Sequence, residues 1–130
     1  MAGRYAHIKS GHRADLGSTH FRSGWEANYA RYLNFLIEKQ QIHRWEFEPD
    51  TFWFLEIKRG TRSYLPDFKI WNSEYSTPHY VEVKGFMDAK SKTKIRRMAK
   101  YFPHVKLEIV GKKQYNEIKS KVSGIILNWE

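Results

Sequence analysis

Apolar residues recur along this chain with two periods, and the alternation between them lays out its elements. Ser23-Gly24-Trp25-Glu26 has the form of a capping box, with Ser23 as N-cap and Glu26 at the N3 position. Trp25, Tyr29, Tyr32, Leu33, Leu36 and Ile37 follow at helical spacing, which predicts a first helix ending near Lys39. Ile42 to Glu48 changes to a two-residue period, with Trp45 and Phe47 on one face and Glu46 and Glu48 on the other. Pro49-Asp50 marks a turn, Thr51 to Lys58 is an aromatic-rich strand, and Arg59-Gly60-Thr61 reads as a hairpin turn. Arg62 to Trp71 and His79 to Lys84 are read as two further strands, joined by the polar segment Asn72 to Pro78.

Helical spacing returns at Ile95, Met98, Ala99 and Phe102, with Asp88 placed to cap and Pro103 to terminate. Val105 to Val110 alternates again, Lys112 to Val122 is helix-like, and Gly124 to Trp129 reads as a short final strand. Helix, three-stranded meander, strand, helix, strand, helix describes an α/β domain: a central mixed β-sheet flanked by helices. Residues 1–22 lack such a pattern. They carry Arg4, His7, Lys9, His12, Arg13, His20 and Arg22 among three glycines, and read as a basic N-terminal arm preceding a single domain over 23–130.

Composition narrows the class. Hydrophobic residues make up 41% and aromatic residues 16% of 130, enough for a packed core without staples. The absence of cysteine removes disulfides, cysteine zinc sites and thiol nucleophiles, and suits a cytoplasmic location. No apolar run reaches the ~18 residues of a membrane span, and no signal-like apolar segment opens the chain. With 23 Lys and Arg against 14 Asp and Glu, the formal net charge is +9, which predicts a polyanionic partner, nucleic acid before membrane.

The candidate chemistry is a small group of side chains. In the strand His79–Lys84, alternation sets Tyr80, Glu82 and Lys84 on one face and Val81 and Val83 on the other. In the preceding strand Asp67 shares its face with Leu65 and Lys69. If the two strands are neighbours, Asp67 stands beside Glu82. Two such carboxylates repel, and a hard divalent cation removes the conflict; Mg²⁺ suits the donors best, with Mn²⁺ expected to substitute. Lys84 beside that cation can orient a water and offset charge developing on a phosphate. The competing reading is a solvated strand face with a cross-strand ion pair.

Pro66-Asp67 with Glu82-Val83-Lys84, set in Tyr64-Leu65-Pro66-Asp67-Phe68 and Tyr80-Val81-Glu82-Val83-Lys84-Gly85, resembles the signature of the PD-(D/E)XK nuclease superfamily, and in particular its small phage endonucleases and Holliday-junction resolvases. The order of elements from Ser23 to about Val110 is similar to that family's core. The resemblance implies a restriction-endonuclease-like fold and a Mg²⁺-dependent endonuclease acting on DNA. Asp67, Glu82 and the backbone carbonyl of Val83 would be metal ligands and Lys84 the catalytic lysine. Many members add a helix glutamate, for which Glu26 is in line; its capping role is the alternative, and both stay open. Glu46 and Glu48 are spare acids, and Gln114 offers no clear glutamine motif.

The nucleic acid would lie along the second helix, whose Lys90, Lys92, Lys94, Arg96, Arg97 and Lys100 are accompanied by one acid, Asp88, with Lys112 and Lys113 extending the basic surface. Nothing resembles a base-reading module, so recognition by backbone and shape is expected. Paired cuts in branched DNA would call for a homodimer. No small-molecule cofactor is expected. The alternatives are a weakly specific or non-specific nuclease of the same fold, and a non-catalytic nucleic-acid-binding module. The six histidines are scattered and form no ligand pair.

Overall fold

The computed structural model describes residues 9–130, and the start of the basic arm, with Arg4 and His7, lies outside them. The described residues hold three helices and eight strands in mixed α/β order, in two compact units: residues up to Ile42 together with Lys113–Glu130, and His43–Lys112. The division therefore does not fall at the expected boundary after Arg22.

In the first unit, β1 (Gly11–Arg13) pairs antiparallel with β2 (Thr19–Phe21) across a short 3-10 turn, Ala14–Leu16. The described part of the expected basic arm is thus structured and belongs to the first unit. Leu16 and Phe21 are buried, and the Arg13 guanidinium donates to both carboxylate oxygens of Glu130, at 2.8 and 2.7 Å. Helix α1 (Gly24–Glu38) starts where the capping box predicts: the Ser23 hydroxyl accepts from the Glu26 N–H at 3.1 Å. Its buried residues include Ala27, Tyr29, Ala30 and Leu33, but also the polar Asn28 and Arg31. Arg31 donates to Asp15 at 2.8 Å and to Glu130 at 2.9 Å; Asn28 donates to the Glu130 carbonyl at 2.7 Å. Helix α3 (Lys112–Val122) carries Tyr115, whose ring stacks on Trp25 at 4.1 Å between centroids. The strand expected over Gly124–Trp129 is absent: Glu130 is tied back to Asn28 and the intervening residues form turns.

The second unit is built on a four-stranded mixed sheet in the order β3 (Arg44–Phe47), β6 (Phe68–Trp71), β7 (His79–Val83), β8 (Leu107–Val110). The first two pairings are antiparallel and the last is parallel, the crossover being made by α2 (Ala89–Tyr101). Asp88 caps α2 by accepting from the Ser91 N–H at 2.7 Å. On one sheet face Phe68 is flanked by the rings of Trp45 and Phe47, with Ile70 and Val81 also buried.

The expected three-stranded meander is not continuous. Arg62–Trp71 breaks into β5 (Ser63–Tyr64) and β6, and β5 pairs with β4 (Phe52–Trp53) in a separate two-stranded hairpin. Pro66 explains the break, because it has no N–H to give to a ladder. The hairpin lays Phe54 and Tyr64 against Met98 of α2, with Phe52, Ile57, Tyr101 and Phe102 around them. The half-buried Arg97 of α2 donates to the Thr61 carbonyl and fastens the hairpin's turn to the helix.

Candidate active site

The register of β6 and β7 pairs Phe68 with Val81 and Ile70 with His79. The pairing ends at Phe68: Pro66 and Asp67 precede β6, Asp67 in a bend rather than in the strand expected for it. Proline cannot continue the ladder, and the Asp67 side chain takes its place: Oδ2 accepts from the Val83 N–H at 2.8 Å. The Asp67 carbonyl accepts from the Glu48 N–H at 2.7 Å on the other side. Asp67 is thus clamped between β3 and β7 and is 1% exposed. A buried carboxylate needs such hydrogen bonds to remain charged.

Glu82 is half-buried on the same sheet face, and its Oε1 accepts from the Tyr64 hydroxyl at 2.9 Å. Burial pushes the Tyr64 phenol far above its ordinary range; the charge of Glu82, its hydrogen bond and the charge of Asp67 add to the shift. Tyr64 therefore stays protonated, and a donor, through the neutral range. One phenol feels both carboxylates, so their negative potentials overlap in a poorly solvated place. That is the electrostatic condition a cation relieves. The donors are hard oxygens, suited to Mg²⁺ or Mn²⁺.

Lys84 follows β7 directly, its N–H donating to the Val110 carbonyl at 3.0 Å. A cleft of about 30 Å³ is lined by Tyr64, Glu82, Lys84, Met87, Ser91, Lys94 and Ile95. A water needs at least about 10–15 Å³, so the cleft admits one. Glu82 and Lys84 thus share one opening, as alternation requires, while Asp67 is not among its lining residues. The Val83 side chain is buried, which leaves its backbone as the group available for a ligand role.

The remaining sequence candidates fall as follows. Glu26 lies in the first unit, where its carboxylate accepts from the Arg22 N–H at 2.8 Å and pairs with the Arg22 guanidinium at 3.3 Å. It serves the start of α1, bonding the residue before the cap rather than the Ser23 N–H that a reciprocal capping box would use. Glu46 forms an exposed pair with Arg44, and Glu48 holds a left-handed turn at φ 51°. His79 falls on the face of β7 opposite Glu82. Among the described residues, no three His, Asp or Glu side chains are grouped to hold a metal ion; the ligand set implied by the resemblance has only two, Asp67 and Glu82, with the Val83 carbonyl. On α2, Lys90, Lys92, Arg96 and Lys100 are exposed, Lys94 is half-buried with Nζ 6.0 Å from the Tyr64 ring centroid, and Arg97 is committed to Thr61. Lys112 and Lys113 are exposed at the start of α3.

Sequence reasoning missed Tyr64 and Asp50. Asp50 binds Lys69 at 2.7 Å and accepts from the Tyr80 hydroxyl, and Lys69 and Tyr80 are cross-strand partners on the Glu82 face. Both hydrogen bonds, first to Lys69 and then to Tyr80, hold the Asp50 carboxyl below its usual range. The only signal for Tyr64 was its place just before Leu65-Pro66-Asp67; its reach to Glu82 depends on the hairpin folding back over β7.

Comparisons with protein-family models, with curated proteins and with solved structures found no match. No described helix is long and apolar enough to cross a membrane.

Proposed function

We propose that this protein is a metal-dependent nuclease with a restriction-endonuclease-like core, hydrolysing phosphodiester bonds in DNA. The observation that carries the reading is that Asp67 accepts from the N–H of Val83, the residue after Glu82, while Lys84 shares the cleft of Glu82. Asp67, Glu82 and the Val83 carbonyl would hold the cation. When bound, Mg²⁺ or Mn²⁺ supplies Lewis acidity toward the scissile phosphate and lowers the pKa of a water. The chain's own residues do the rest. The Val83 N–H keeps Asp67 aimed, the Tyr64 hydroxyl fixes the rotamer of Glu82, and Lys84 orients the attacking water and offsets charge on the phosphorane. Selectivity for branched DNA, as in a Holliday-junction resolvase acting as a homodimer, is the finer form of the proposal; a weakly specific nuclease is the coarser one.

A non-catalytic nucleic-acid-binding module is favoured by a different observation, the burial of Asp67 and its bond to the Val83 N–H. Incubation of the protein with four-way junction, linear duplex and single-stranded DNA, each with Mg²⁺, Mn²⁺ or EDTA, separates these readings. Cleavage with either metal and none in EDTA is expected. Cleavage that persists in EDTA overturns the metal site, and no cleavage with any metal overturns the nuclease proposal. Equal rates on linear and branched DNA remove only the junction preference.

Tyr64→Phe keeps the ring that packs on Met98 and deletes the donor to Glu82. Loss of such an orienting partner is expected to weaken Mn²⁺ binding about 10- to 100-fold, as titration calorimetry would measure. Unchanged affinity would mean that Glu82 needs no such support.

A further inference from the structure

A second cleft, of about 530 Å³, opens between the turn of the β4–β5 hairpin and the first half of α2, lined by Gly60, Thr61, Arg62, Ser63, Lys90 and Lys94. Its volume falls within the roughly 300–1,000 Å³ of ligand-binding clefts, which are mostly apolar, but its walls are the opposite. Three cations and two hydroxyl side chains line it, and none of the lining residues is acidic. The apolar cavity on the other flank of α2, about 260 Å³ and walled by Met98, Phe102, Val105 and Leu107, shows what an ordinary gap in this unit looks like.

The cleft is shaped by local chemistry. Gly60 adopts φ +72°, in the left-handed region, and so turns the hairpin back toward α2. Arg97, bonded to the Thr61 carbonyl, holds that turn in place from the helix side. The first turn of α2 has no acidic residue and carries Lys90 at the positive end of the helix dipole. Cations there are unfavourable for the helix alone, and a bound anion reverses the sign of that effect. The Asp88 cap offsets only part of it. Lys94 lines both this cleft and the smaller one holding Glu82 and Lys84.

We infer that this cleft is a phosphate-binding subsite that seats the backbone of one nucleic-acid strand beside the phosphodiester presented to Glu82 and Lys84. The inference rests on the nuclease reading for its occupant. Arg62 and Lys90 are the contacts, and Lys94 bridges the seated phosphate and the reacting one. Arg62, Thr61 and Ser63 become substrate-positioning residues that a survey of the basic helix alone passes over.

The test is fluorescence anisotropy of a labelled DNA duplex with the full chain in EDTA, where no cleavage intervenes, across a series of salt concentrations. Both Arg62 and Lys90 are exposed, so Arg62→Ala/Lys90→Ala is expected to fold normally, with circular dichroism as the check. This variant is expected to bind about tenfold more weakly, and its log Kd against log salt slope to fall by about 2, one per lost phosphate contact. Lys119→Ala/Lys121→Ala, which removes equal charge from the end of α3, is expected to leave the slope unchanged. Equal affinities and slopes for the two double variants would overturn the subsite. So would inorganic phosphate that binds with the same dependence on Arg62 and Lys90 while DNA does not. The readout is independent of hydrolysis: a wild type that never cleaves but binds as described retains the subsite and loses the nuclease reading, and a wild type that cleaves while the Arg62/Lys90 variant binds normally loses only the subsite.

Discussion

Asp67→Asn is expected to lower metal-dependent cleavage by about 10³-fold or more while leaving cooperative unfolding close to wild type. The side-chain amide keeps the volume and offers an oxygen to the Val83 N–H, which Asp67 Oδ2 now accepts at 2.8 Å. What it removes is charge, and with it most of the affinity for a hard cation. A 10³-fold loss corresponds to about 4 kcal/mol of transition-state stabilisation, within reach of one strongly held electrostatic group in a poorly solvated site. Asp67→Ala is expected to lose activity equally and stability in addition. It leaves the Val83 N–H without its carboxylate partner beside a residue that is 1% exposed, at a cost of about 1–3 kcal/mol. Plasmid-nicking rates paired with thermal denaturation distinguish the two effects. An Asn variant that nicks at the wild-type rate would remove Asp67 from the ligand set and return it to a purely structural role.

The neighbouring of β6 and β7, and the shared cleft of Glu82 and Lys84, were legible because they depend on local rules. Strand alternation sets Glu82 and Lys84 on one side of β7, and β6 and β7 are antiparallel neighbours in sequence and in space. Helices α1 and α2 were legible for similar reasons: Ser23 and Asp88 accept the backbone N–H groups that their positions predict. What escaped the sequence is what long-range partners decide. Pro66 was visible, but its power to split Arg62–Trp71 depended on the β4–β5 hairpin finding its own packing on Met98. The residues after His12 looked like a solvated arm because Leu16 and Phe21 are isolated among polar neighbours. Both are nevertheless buried, in a unit where Arg13 meets Glu130, 117 positions away. The Gly124–Trp129 segment has an apolar pattern, but its last residue is bonded to Asn28 of a helix rather than to a strand. Glu26 shows the same limit, since helical spacing suited both its roles and only the approach of Arg22 displays the capping one.

Arg31→Ala is expected to be the most destabilising single change in the first unit, by about 3 kcal/mol in denaturant-induced unfolding. The Arg31 side chain is 6% exposed and donates to Asp15, Glu130 and the side-chain amide oxygen of Asn28. Its removal takes the guanidinium partner from Asp15 and leaves Glu130 with Arg13 alone, and breaking a buried pair costs about 3–5 kcal/mol. The lower end applies because Asp15 and Glu130 keep 28% and 29% side-chain exposure and recover some solvation. The same network predicts acid sensitivity. Hydrogen bonding to Arg31 holds the Asp15 carboxyl below its usual range, and hydrogen bonding to Arg13, then to Arg31, does the same for Glu130. A carboxyl whose folded pKa is depressed contributes stability that is complete above its unfolded value, near about 4, and that is lost as pH falls through the folded value. The unfolding midpoint should therefore hold steady from pH ~7 to ~5 and drop below ~4, and Glu130→Gln should flatten that drop while lowering the plateau. A Glu130→Gln profile parallel to wild type through the acid range would show that the network does not set the acid limit. A loss for Arg31→Ala well under 1 kcal/mol would show that the hairpin and α1 are held together by their apolar contacts alone.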